Sequence, residues 1–120
     1  MQIRGLRGAT SVPSDTKQNI VEATAELLKE MMDRNELSQD DLVSIIFTAT
    51  RDLRSEFPAA AAREIGISDI PLLCASEIDV EGAIPKVIRV LMHISTTKDR
   101  SALHHIYLRE AKPLRADLPQ

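Results

Sequence analysis

Cysteine occurs once in this chain, at Cys74, which excludes an internal disulfide framework. A reducing compartment, the cytoplasm, is the expected setting. Phe47, Phe57 and Tyr107 are the only aromatic residues, so a platform for stacking nucleic-acid bases is missing. The net charge of -3 and the pI near 5.6 exclude a broad basic footprint. No run approaches the roughly 20 apolar residues of a membrane-spanning helix. Met1 leads straight into a strand pattern, with no apolar secretory segment before it. The chain also lacks a phosphate-binding loop and a dinucleotide fingerprint. What remains is 120 residues with 43% hydrophobic and 28% charged content, expected to form one domain over residues 1–120 around one core.

The hydrophobic patterning predicts an α+β fold. Residues 2–12 alternate as a strand up to Pro13. Ser14 and Asp15 are candidate caps for a long amphipathic helix, in which Ile20, Thr24, Leu27, Leu28 and Met31 recur at helical spacing as far as Arg34. Asn35 suits a left-handed stop. A short turn at Ser38–Asp41 precedes a β-branched run, Val43–Ala49, which reads as a buried strand. Residues 50–56 read as a loop, Ala59–Ile65 as a short helix closed by Gly66, and Pro71–Ala75 as a short strand. After a loop over residues 76–85, Val87–Ser95 is the clearest strand, with Ile88, Val90, Met92 and Ile94 on one face. His105–Arg109 forms the last strand. The result is a mixed five-stranded sheet with one long and one short helix. One long helix covers only one face of so apolar a sheet, so the other face or the edge is expected to pack on identical subunits.

Four features carry candidate chemistry: Arg7, Cys74 with Glu77, Arg89 and Tyr107. Arg7 shares a strand face with Ile3, Gly5 and Ala9. Arg89 lies between Val87 and Leu91 on the second face of its strand. Two readings stand for these arginines. In one they are structural, reaching water or pairing with Glu77, and Cys74 is core packing. In the other they line a pocket that grips an anionic small molecule by bidentate hydrogen bonds, with Tyr107 as a neutral donor. Metal and thiol chemistry are not expected. His104 and His105 are adjacent and point to opposite faces of a strand, and His93 is isolated, so neither a ligand set nor a base for Cys74 is in place.

The segments Ile3–Thr10, Thr48–Leu53, Phe57–Ala59, Cys74–Asp79, Ile88–Val90, Ile106–Leu108 and Leu114–Leu118 together resemble the monofunctional chorismate mutases of the trimeric pseudo-α/β-barrel class. The similarity runs nearly end to end and in order. It implies conversion of chorismate to prephenate, a [3,3]-sigmatropic rearrangement on the route to phenylalanine and tyrosine. It also implies a homotrimer with clefts between subunits, no cofactor and no metal.

Carried onto this chain, the resemblance makes Arg7 and Tyr107 binders of substrate carboxylate and brings Arg89 to the breaking ether oxygen. Glu77, with Cys74 nearby, would hold the ring-hydroxyl region, and Leu73, Ala75 and Ser76 would line the cleft. Phe57 would supply a wall from the adjacent subunit. Arg63 and Arg115 match positions near the entrance and in a C-terminal tail, residues 112–120, expected to be mobile. Ala60 stands where relatives can carry lysine, which leaves less positive charge at the cleft mouth. A non-catalytic trimeric metabolite-binding or regulatory domain is the alternative, because a fold never fixes a function. Retention of Arg7, Glu77, Arg89 and Tyr107 together favours the enzyme.

Overall fold

The computed structural model describes residues 1–115. Its elements are β1 (Gln2–Ser11), α1 (Lys17–Arg34), β2 (Leu42–Ala49), α2 (Ala59–Glu64), β3 (Leu72–Ser76), β4 (Val87–Thr96) and β5 (Ile106–Tyr107). Short 3-10 helices span Gln39–Asp41, Arg100–Ala102 and Arg109–Arg115. The five strands make one sheet in the order β3-β2-β4-β1-β5. β4 runs antiparallel to both β1 and β2, whereas β3 and β5 pair in parallel with β2 and β1. The order of elements is the one that the hydrophobic pattern predicts. No helix among the described residues is long and apolar enough to cross a membrane.

Helix α1 forms where the apolar residues return every three or four positions, and it buries Ile20, Ala23, Leu27, Leu28 and Met31. Leu27, Leu28 and Met31 pack on Leu6 of β1, Ile45 and Phe47 of β2, and Val90, Met92 and Ile94 of β4, while Ile20 and Ala23 form a second cluster with Val12, Leu53 and Ile88. Gly8 belongs to this covered side. A Cβ there would stand 2.5 Å from Met31 Sδ and 3.1 Å from Leu27 Cδ1, so the absent side chain is what lets helix and strand meet.

The ends of α1 differ from the expectation. Its N-cap is Thr16, not Ser14 or Asp15: the backbone is extended there, and the hydroxyl accepts the Asn19 amide hydrogen at 3.1 Å. Asp15 is spent elsewhere. Its carboxylate accepts the amide hydrogens of Arg54 and Ser55 at 2.9 and 3.0 Å, fastening the loop after β2 to the start of the helix. At the other end Asn35 is not left-handed; Glu36, with φ 54°, takes that conformation. Asn35 is instead fully buried, donating to the carbonyls of Met31 and His104 and accepting from the His104 amide. A buried side chain with this many partners specifies its position more firmly than a cap alone.

Two strands also differ. β2 is buried on one face only, because Ile46 and Thr48 point away from α1 and stay half-exposed. β5 is two residues long and starts at Ile106, so His104 and His105 precede it and do not alternate across a strand. His105 turns towards β1, where its Nδ1 accepts the Arg7 amide hydrogen at 3.0 Å.

That contact makes stability depend on pH. Burial, then the Arg7 charge and then the His104 charge, holds the His105 pKa below its ordinary 6.5. An acceptor Nδ1 must also be unprotonated. The unfolded chain therefore takes up a proton at His105 at higher pH than the folded one does. This contribution is complete above pH 6.5 and is lost as the pH falls from there through the lowered folded value. Denaturant midpoints are expected to fall over that interval in the parent. In His105→Asn, which keeps an acceptor but does not titrate, this component should vanish.

Candidate active site

Strand register assembles the site. On the face away from α1, Thr48 of β2 lies opposite Arg89 of β4, Arg89 opposite Ala9 of β1, and Ala9 opposite Tyr107 of β5. Ala75 of β3 extends this row beyond Thr48. The neighbouring row on the same face runs Leu73, Ile46, Leu91, Arg7. Two arginines thus stand on adjacent rows of the sheet, where strand pairing sets the positions of their Cα atoms.

Glu77 is the first residue beyond β3. Its amide donates to the Ala49 carbonyl at 2.9 Å, so it continues the ladder beside β2. The side chain returns over the sheet to the central row. Glu77 Oε2 accepts from the Thr48 hydroxyl and lies 3.4 Å from Arg89 Nε.

Arg7, Glu77, Arg89 and Tyr107 line one cavity of about 290 Å³, with Gly8, Ala9, Ile46, Thr48, Val90 and Leu91. The four come from β1, the end of β3, β4 and β5, so only the folded sheet brings them together. Tyr107 is buried over Ala9 and Ala111, which places its ring at the end of the row. Clearance at Gly5 is not what makes room for Arg7, since Gly5 is solvent-exposed and a Cβ there would make only ordinary contact with Leu91. Room comes instead from the uncovered sheet face.

Other candidates fall in a second place. Phe57, Cys74, Ala75 and Ser76 line a separate cavity of about 500 Å³, together with Arg51, Arg54 and Glu56. Cys74 sits in register with Phe47 and Val90, packs against the α1-side core and is half-buried. It therefore faces away from the row that holds Arg89. Phe57 is 67% exposed and Leu73 61% exposed, large apolar areas that no described residue covers. Arg63 is exposed on α2 and lines neither cavity. Arg115 ends the last 3-10 helix, and residues 116–120 of the expected mobile tail lie outside the described residues.

Two features are absent from the sequence reading. Thr48 is the first, and the signal that points to it is its place in the Thr48–Leu53 segment. The second concerns His93, read as isolated, whose Nδ1 lies 3.1 Å from the Ser44 hydroxyl on the same uncovered face. No carboxylate completes that pair within the described hydrogen bonds. Among the described residues there is also no group of three or more His, Cys, Asp or Glu placed to hold a metal ion. What the first cavity can do is hold an anion between two fixed guanidinium groups, with a phenol and a carboxylate to orient the remainder.

Comparison with known proteins adds a family. Residues 3–118 match the family model described as chorismate mutase type I. The chain is 49% identical over 117 residues to the chorismate mutase AroH of Thermus thermophilus, covering 97% of this chain and 96% of that protein. With the chorismate mutase AroH of Bacillus subtilis (strain 168) it shares 40% identity over 119 residues, 98% of this chain and 94% of the relative. A solved chorismate mutase from Clostridium thermocellum superposes with a TM-score of 0.91 at 49% identity, over 92% of this chain and 98% of the other.

Proposed function

The chain belongs to the chorismate mutase type I family and is a chorismate mutase, and from that premise we propose that it rearranges chorismate to prephenate in the cavity between Arg7, Glu77, Arg89 and Tyr107. The observation that carries this reading is the convergence of those four side chains, from four separate places in the chain, on one concave patch.

The chemistry suits so sparse a set of groups. A pericyclic rearrangement uses no nucleophile and transfers no proton, so the protein has two tasks. It must select the folded, diaxial form of the substrate, which is an orientation effect. It must also stabilise the negative charge that grows on the ether oxygen as the C–O bond breaks ahead of C–C bond formation. Arg7 and Tyr107 hold substrate carboxylate at one end of the cavity. Arg89, central in the row, supplies its positive charge to the ether oxygen, and this interaction is stronger in the transition state than in the ground state. Glu77 accepts a hydrogen bond from the ring hydroxyl.

The working assembly is a homotrimer, with each cleft completed by a neighbouring protomer. Two observations support that reading. The second cavity, with Phe57 and Cys74, is separate from the first within one protomer. The face of the sheet away from α1 also leaves Ile3, Leu73 and Leu91 exposed. Packing protomers by this face would cover the apolar residues and bring Phe57 of one against Arg7 and Arg89 of another. Arg63 and Arg115 would then stand at the entrance.

The test is to follow chorismate disappearance and prephenate formation with the purified protein, and to measure its mass in solution. Acceleration over the spontaneous reaction by a species of three protomers is the expected result. Prephenate formation at only the spontaneous rate would overturn the assignment of the reaction. An active monomer would overturn the shared cleft.

A further inference from the structure

We infer that Thr48 is a positioning residue that keeps Glu77 from closing onto Arg89 and so preserves the Arg89 charge for the substrate; this rests on the proposed role of the Arg89 cavity. The geometry is a competition for one oxygen. Glu77 Oε2 is the acceptor of the Thr48 hydroxyl and also the atom nearest to Arg89 Nε. The Thr48 contact is a hydrogen bond. The Arg89 contact, at 3.4 Å, is an ion pair without hydrogen-bond geometry, and among the described residues the buried Arg89 Nε has no hydrogen-bond partner.

That arrangement is unusual for an arginine beside a carboxylate. Left alone, the two groups favour a bidentate pair, two parallel N–H···O bonds that engage both carboxylate oxygens. Such a pair would spread the guanidinium charge over Glu77 and turn its donors away from the cavity. Two restraints prevent it. The Glu77 backbone is held by its amide bond to the Ala49 carbonyl, which sets where the side chain starts. Thr48, directly opposite Arg89 across the β2–β4 ladder, then holds the carboxylate from the β2 side. The Arg89 side chain remains 41% exposed towards the cavity.

Threonine suits the task because it offers a neutral donor on a short, stiff side chain. A lysine there would add charge, and an asparagine would bring a second donor and an acceptor. Thr48 need not touch the substrate. Its influence passes through Glu77 to Arg89.

The experiment compares Thr48→Val, Thr48→Ser and Thr48→Ala in the full-length protein and in a Glu77→Ala background, reading kcat and KM for chorismate separately. Val keeps the shape and removes the donor, and loss of a hydrogen bond to a charged group corresponds to about tenfold or more in rate. Thr48→Val is expected to lower kcat by about tenfold with a smaller change in KM, and Thr48→Ser to stay within about threefold of the parent. In the Glu77→Ala background the same Thr48→Val change is expected to have no further effect, because the residue through which Thr48 acts is gone. A Thr48→Val protein with parental kcat would overturn the inference. So would an equal fall with and without Glu77, which is what a merely structural role would produce. Should Thr48→Val fail to fold, the Ser and Ala variants make the same comparison of hydroxyl present against hydroxyl absent. An inactive parent would overturn the proposed function itself, which separates the two failures.

Discussion

Replacing Arg89 with glutamine is expected to lower kcat by a factor of about 10² to 10³, or about 3–4 kcal/mol, while KM changes far less and the assembly keeps its mass. The size follows from where the charge is held. β4 is flanked on both sides by antiparallel partners, and Arg89 is in register with Thr48 on one side and Ala9 on the other. Its guanidinium lines the cavity beside Glu77 before any substrate is bound, so its field is already in place as the ether bond breaks. Glutamine keeps a donor on a shorter side chain but removes the charge. Its loss therefore falls on the transition state, where the negative charge develops, more than on the bound substrate. Steady-state kinetics with a mass measurement on the same sample checks both parts. A variant with near-parental kcat would move the charge-stabilising role away from Arg89.

Replacing Phe47 with alanine is expected to remove about 3–5 kcal/mol of stability, which is a large share of the roughly 5–15 kcal/mol that holds a domain folded. Phe47 is completely buried and is among the largest side chains in the core. It stands on β2 between Cys74 of β3 and Val90 of β4, on the side that α1 covers. Interior strands at this point in a sheet cannot shift far to close a cavity without breaking the ladder on both sides, so the loss should lie well above a simple transfer value. Urea unfolding at one fixed protein concentration, necessary because association would also contribute, measures it. A loss under about 1 kcal/mol would show that the surrounding side chains collapse into the space.

These two residues lie on opposite faces of the sheet, one step apart along the pairing, since Phe47 faces Val90 and Thr48 faces Arg89. The period-2 alternation of β4, apolar at Ile88, Val90, Met92 and Ile94, already separates the core face from the functional one. That alternation made Arg89 conspicuous as a cation between aliphatic neighbours. Arg7 stands out on β1 by the same alternation. β2 is different: a run as apolar as Val43–Ala49 reads as buried on both sides, yet Ile46 and Thr48 are half-exposed.

Local chemistry was ambiguous wherever several residues could do one job. Ser14, Asp15 and Thr16 are all competent caps, and each has a use: Ser14 accepts from the Asn19 side chain at 2.6 Å, Asp15 ties down the following loop, and Thr16 caps. Which residue does which depends on the loop carrying Arg54 and Ser55 being nearby, roughly 40 residues along the chain. Asn35 and His105 follow the same pattern. Their partners, His104 and Arg7, lie 69 and 98 residues away.

The sequence by itself determined the order of elements, the buried sides of α1 and β4, and the resemblance that pointed to the reaction. Periodicity and composition are local, and burying apolar surface depends on them directly. Tertiary structure alone decided which polar groups meet. Strand register set Thr48, Arg89, Ala9 and Tyr107 in one row, and the side chain of Glu77, the first residue beyond β3, reaches back onto it. It also parted Cys74 and Phe57 from that row. Hydrogen bonds and ion pairs act over a few ångströms between residues distant in the chain, so their partners exist only once the sheet has closed.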